Sequence, residues 1–175
     1  GDDDDDDTDD DDDDTTPTDD DDDDVSDHDR LEALLDELDG TADPDVQANL
    51  VTKFLLEVHH SDGLPIRHGD SLTFVALPDP DPADGLSLAG DFDGWLGAPM
   101  DRPYAAPLYL ATIQVADPLP RHAYKFIHHR TSGDDWRADP WARRYGYDGF
   151  GEYSLIAGGA GESHLERWAG WRSVT

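Results

Sequence analysis

Ser71-Leu-Thr-Phe-Val-Ala-Leu77 and His122-Ala-Tyr-Lys-Phe-Ile-His128 set the fold class, because both alternate with the two-residue period of a β-strand. Leu86–Ala89 (LSLA), Leu108–Val115 (LYLATIQV) and Tyr153–Ala157 (YSLIA) read the same way. Loops rich in Pro, Gly and Asp, such as Pro78–Gly85 and Thr131–Asp135, separate them. Short strands at close spacing with no helix between them predict an antiparallel β-sandwich, not a βαβ fold.

Upstream of Ser61 the period is helical. Ser26 is placed to cap a first helix, with Leu31, Leu34, Leu35 and Leu38 on one face and Gly40 as its stop. Asp43-Pro44 opens a second helix whose stripe is Val46, Leu50, Val51, Phe54 and Val58, ending near His60-Ser61. A connection of a few residues favours an antiparallel pair, and two such stripes need a further surface to cover them. The expected organisation is therefore an acidic spacer over residues 1–25, a helix pair over 26–61, a mostly β sandwich over 62–160 and a linker over 161–175. Gly158–Gly161 is a glycine-rich exit, and His164–Trp171 resembles the start of another unit. No internal repeat is present.

The charge lies largely outside this body. The 175 residues hold 43 acids and 12 bases, a net of −31, and residues 1–24 alone contain 18 aspartates in three blocks of six. Residues 25–175 keep a net of −13. A like-charge run of that density buries too little apolar area to offset its ordering entropy, so a disordered poly-Asp tail is expected. A surface this acidic repels polyanions, which excludes nucleic acid as a partner on electrostatic grounds. No apolar run is long enough for a transmembrane segment. The absence of cysteine removes disulfides, zinc-thiolate sites and a cysteine nucleophile. An aspartate-threonine-proline tract beginning at Gly1 fits a spacer between an anchor and a folded module. This implies a secreted or cell-envelope protein, either a lipid-anchored bacterial lipoprotein or the product of ordinary signal-peptide cleavage or excision.

Familiar catalytic patterns are missing: no G-x-S-x-G elbow, no H-E-x-x-H helix and no phosphate-binding glycine loop. Gly90-Asp91-Phe92-Asp93-Gly94 has the look of a calcium loop, but the twelfth position from Asp91 is Arg102 and not glutamate, so a tight turn is expected. His128 and His129 are adjacent on a strand and point to opposite faces. His59 and His60 close a helix, where imidazolium is favoured electrostatically. No cofactor and no metal site are expected. Trp95 follows the LSLAG strand and Trp136 follows the strand carrying Lys125, both in polar surroundings. Exposed aromatic faces beside polar donors hold sugar rings by stacking, while the alternative places both in the core or rim of the sandwich.

Leu86-Ser-Leu-Ala-Gly-Asp-Phe-Asp-Gly-Trp95 resembles the "AGDFNGW" signature of the family 48 carbohydrate-binding modules, which are early-set immunoglobulin-like domains. Tyr124-Lys125-Phe126 resembles the family's "YKF" strand and Asp135–Pro140 its "W-x-x-DP" turn. Phe150–Ile156 resembles its closing "FGxxNSVV" strand. The four markers fall in the family's order over roughly residues 72–156. The resemblance implies an immunoglobulin-like sandwich that binds α-glucan or glycogen without catalysis, through Trp95, Trp136 and Lys125. Tyr153 or Ser154 stands where the family often uses an asparagine. The hairpin before Trp136 is longer than the family's, with His128–Gly133 ahead of Asp134. The helical segment and His164–Trp168 (HLERW) are similar to the lead-in of enterochelin-esterase-like proteins. That similarity implies an adjacent catalytic domain for which this chain positions substrate or serves as a packing partner. A free-standing enzyme using carboxylates is the remaining alternative.

Overall fold

The computed structural model describes residues 25–115 and 122–156. The expected poly-Asp tail, Ala157, the glycine-rich exit and the HLERW link lie outside the described residues.

Helix α1 spans Asp27–Asp39. Ser26 caps it, its Oγ accepting the Asp29 N–H at 3.1 Å, and the Gly40 N–H closes it on the Asp36 carbonyl. Helix α2 spans Pro44–His60, and the Asp43 carboxylate accepts the N–H groups of Asp45 and Val46. Its buried stripe differs from the expected one. Val46 is exposed and Leu50 half-buried, whereas Gln47 and Leu55 are buried with Val51, Phe54 and Val58. Gln47 turns inward because its amide closes loop groups: Nε2 donates to the Thr41 carbonyl and Oε1 accepts the Ala106 N–H. A buried amide satisfied on both sides costs far less than an unpaired one.

Nine strands follow among the described residues: β1 (Ile66–His68), β2 (Ser71–Ala76), β3 (Leu86–Gly90), β4 (Ala98–Pro99), β5 (Tyr109–Gln114), β6 (His122–His128), β7 (Asp135–Arg137), β8 (Tyr145–Asp148) and β9 (Gly151–Ile156). They form two antiparallel sheets. One has the order β1-β2-β5; the other runs β4-β3-β6-β9-β8, with β7 also paired to β6. The strands expected from alternation are all present. The short strands β1, β4, β7 and β8 are additional to those that alternation predicts.

Alternation along β2 builds the layers. Leu72, Phe74 and Ala76 enter a core shared with Leu86, Leu88, Tyr124, Phe126 and Ile156 of the larger sheet. Val75 points the other way, into a second core with Leu31, Leu38, Val51, Leu55 and Val58 of the helices. The helix pair therefore covers the outer face of the small sheet. Phe74, Leu72, Leu88 and Tyr124 are almost wholly buried, and such side chains contribute about 1.5–3 kcal/mol each. The outer face of the large sheet faces away from both cores, and the sequence-predicted aromatics lie there.

Candidate functional site

Two ladders set out the face. Ser87 pairs with Ile127 and Ile127 pairs with Trp136, so one row crosses β3, β6 and β7; the next row pairs Ala89 with Lys125. Paired residues share a face, opposite to that of Tyr124 and Phe126. On the far side of β6, the β9 ladder stops at Tyr124 and the β7 ladder starts at Phe126. Lys125 thus sits at a breach between β7 and β9.

Trp95 reaches the face from the β3–β4 loop. The Asp93 carboxylate organises that loop by accepting three backbone N–H groups, from Gly90 at 3.0 Å, Trp95 at 2.9 Å and Gly97 at 3.1 Å. Trp95 adopts φ +64°, a left-handed conformation that costs a non-glycine residue about 1 kcal/mol or more. Asp91 is likewise engaged within the fold, accepting the Ala123 N–H and meeting His122 Nδ1 at 2.6 Å. The segment is a turn held by its own carboxylates. Among the described residues, no group of three or more His, Asp or Glu could hold a metal ion.

The rings of Trp95 and Trp136 lie with centroids 6.5 Å apart at 43°. They are 37% and 43% exposed, as a contact surface requires, rather than in the core. With Lys125, Asp148 and Phe150 they line an open cleft of about 570 Å³. Lys125 is buried to 6% exposure, and its Nζ donates to the Phe150 carbonyl at 3.1 Å. An ammonium has three N–H donors, so this bond fixes the head group without exhausting it. The Asp148 carboxylate accepts the Phe150 N–H at 2.7 Å and sets the β8–β9 turn, which leaves the Phe150 ring 93% exposed. A second hollow of about 460 Å³ shares Lys125, Trp136 and Phe150 and reaches His128 and Asp139.

The structure brings Trp95, Trp136 and Lys125 together and separates Tyr153 from Ser154. Tyr124 pairs with Ser154, so Ser154 faces the core and is fully buried, its Oγ accepting the Asp139 N–H at 2.7 Å. It is no part of the exposed face, because a one-residue step along a strand reverses the side chain. Tyr153 lies on the outer side with its ring against Gly146, where a Cβ would meet ring carbons at 2.4 Å. That ring covers a bare stretch of β8. Phe150 and Asp148 complete the cleft and were not singled out as site residues. The Gly149-Phe150-Gly151 tripeptide was the available signal, since an aromatic between glycines in a hairpin turn has no side-chain neighbours to cover it.

The histidines differ as their adjacency predicts. His128 points inward, is 6% exposed, and its Nδ1 has no hydrogen-bond partner. Burial, reinforced by the nearby Arg137 guanidinium, holds its pKa below the ordinary imidazole value. His129 turns outward, towards Ser87 and Asp134. The large aromatic, ammonium and carboxylate surfaces of the cleft can stack on a flat apolar ring face and hydrogen-bond at its edge. Compared with known proteins, the chain matches no family model and no curated protein.

Proposed function

We propose that this chain is a non-catalytic module that binds an α-glucan-like polysaccharide and positions it for an attached hydrolase. The observation that carries this reading is the pairing of Trp95 and Trp136, half-exposed and 6.5 Å apart, in one cleft with Lys125 and Asp148. Sugar rings offer apolar C–H faces for stacking and equatorial hydroxyls for hydrogen bonds, and the cleft supplies both kinds of contact. The ordered resemblance to family 48 carbohydrate-binding modules supports the same reading and extends it to an early-set immunoglobulin-like fold. Lys125 donates to hydroxyls while anchored to Phe150, and Asp148 accepts from them. Co-sedimentation of the full chain with glycogen tests the reading. Retention in the pellet, competed by maltoheptaose, is the expected result, and complete recovery in the supernatant would overturn it.

One observation favours a second reading. Leu96 and Phe150 are 86% and 93% exposed, two large apolar side chains on the loops that flank the tryptophans. Apolar groups clustered in this way also mark surfaces that pack on another protein domain. On that reading the face is covered by the attached hydrolase and no glucan changes the tryptophan emission.

A further inference from the structure

A side-chain relay runs between β3 and the hairpin that leads into Trp136 on β7. Ser87 Oγ lies 2.8 Å from His129 Nε2, and His129 Nδ1 lies 2.7 Å from Asp134 Oδ1. The order of atoms is that of an acyl-transfer triad, in which a base oriented by a carboxylate activates a hydroxyl. Two observations argue against nucleophilic chemistry here. Ser87 is 5% exposed within β3, so an acyl group has no open approach to Oγ. The N–H of Gly97, which passes over Ser87, already donates to Asp93, so it offers no oxyanion site.

The relay instead joins the elements that carry the aromatic face. Asp134 stands two residues before Trp136, and Gly97 two residues after Trp95. A side-chain carbon at Gly97 would lie 3.8 Å from Ser87 Cβ and 2.8 Å from Ile127 Cδ1, so the Trp95 loop rests directly on the Ser87–Ile127 row. His129 is also tied through its backbone: its N–H donates to the Gly85 carbonyl and its carbonyl accepts from Asp84. The long hairpin His128–Gly133 is thus pinned to β3 at both backbone and side chain.

We propose that Ser87, His129 and Asp134 are positioning residues: their relay fixes the separation and tilt of Trp95 and Trp136. The effect on polysaccharide affinity rests on the function proposed above, whereas the effect on tryptophan geometry does not. A preorganised platform avoids the cost of ordering two loops when ligand binds, so loosening the relay weakens binding without removing any contact.

Two indole rings 6.5 Å apart couple excitonically, and far-ultraviolet circular dichroism of the ligand-free full chain reads that coupling. The Trp95→Phe and Trp136→Phe proteins identify the couplet by its loss. The expected result is that His129→Ala and Asp134→Asn lose most of the couplet while thermal unfolding stays single and cooperative. His129→Gln, which keeps one hydrogen-bonding end, retains part of it. Asp134 is largely exposed, so its variant reports on the relay even where a His129 or Ser87 variant fails to fold. A couplet absent from the wild type, or of full amplitude in His129→Ala and Asp134→Asn, overturns the proposal. Labelling of Ser87 in the folded wild type by a fluorophosphonate also overturns it, because the hydroxyl would then be an accessible nucleophile. Loss of the couplet in the variants combined with no glycogen binding by the wild type supports the relay and removes the polysaccharide reading.

Discussion

The Tyr124 hydroxyl donates to Asp139 Oδ2 at 2.8 Å inside the sandwich, joining the β6 strand to the turn that follows β7. Asp139 is 1% exposed. Its Oδ1 accepts the Trp141 N–H, its carbonyl accepts the Tyr145 hydroxyl, and its N–H donates to Ser154. Burial and the adjacent carboxylate push the Tyr124 hydroxyl well above its ordinary pKa, so it remains a donor across the accessible pH range. Three of the four sequence markers therefore converge on one buried hub that has no exposed surface. Asp139→Ala is expected to destabilise the fold by on the order of 3 kcal/mol or more, because it strands the Tyr124 donor in the core. Asp139→Asn, which keeps one acceptor oxygen for the two donors, should cost less, on the order of 2 kcal/mol. Urea unfolding of both variants checks the order; equal stability of the two would contradict it.

Asp93 holds the Trp95 loop by accepting three backbone hydrogen bonds, from Gly90, Trp95 and Gly97, and its replacement should loosen that loop and leave the cores intact. Asp93→Ala is expected to cost on the order of 2 kcal/mol, since three donors lose a charged acceptor but the Trp95 N–H lies near solvent and keeps the Gly90 carbonyl. The readout is differential: hydrogen exchange should accelerate at Gly90, Trp95 and Gly97, while amides of β2 and β5 keep their protection. Uniform acceleration across both sheets would contradict a local role.

His128 makes stability depend on pH in a known direction. Its folded pKa lies below the unfolded value near 6.5, because burial and the positive Arg137 disfavour the imidazolium, with Asp135 opposing. The unfolded chain thus binds more protons, and stability rises with pH across the window between the two values. The contribution is complete above about pH 6.5 and is lost as pH falls through the folded pKa. Asp135, whose hydrogen bond from Arg137 holds its carboxyl below the usual range, acts with the same sign in a separate window below pH 4. Denaturant midpoints measured from pH 7.5 to 5 should fall for the wild type. His128→Gln should flatten the curve in that range, and an unchanged slope would contradict the assignment.

Tyr153 covers Gly146, so the pair behaves as one unit. Gly146→Ala places a carbon where the Tyr153 ring lies and should cost about 1–3 kcal/mol by overpacking. In a Tyr153→Ala background the same substitution should cost less than half as much, and a double-mutant cycle by thermal unfolding measures the difference. Additive effects would show that the ring does not rest on Gly146.

What was legible in the sequence follows from range. Ser26, Asp43-Pro44 and Gly40 mark helix ends through bonds that span two to four residues, and the structure places the ends there. The alternating strands were legible because one face of each is buried. Ala98–Pro99 and Tyr145–Asp148 were not, since two to four residues with a proline or glycine carry no period, and they become strands by pairing with β3 and β9. The stripe of α2 holds at Val51, Phe54 and Val58 but differs at its start, where Gln47 replaces Val46 because partners in the Thr41 and Ala106 loops draw it inward. Trp95, Trp136 and Lys125 could be named from local motifs, but their meeting could not, as it depends on registers across β3, β6 and β7. The same dependence separates Tyr153 from Ser154: only the ladder pairing Tyr124 with Ser154 says which of the two faces outward.

The most direct test of the account is a maltoheptaose titration of the full chain followed by tryptophan emission, in the wild type and in Trp95→Ala and Trp136→Ala. The account predicts a saturable change in the wild type and a loss of affinity of about tenfold or more in each variant, consistent with a stacking contact of about 1.5 kcal/mol. A wild type whose emission is unmoved at saturating sugar, or variants that bind as the wild type does, would contradict the claim that this aromatic face holds a glucan.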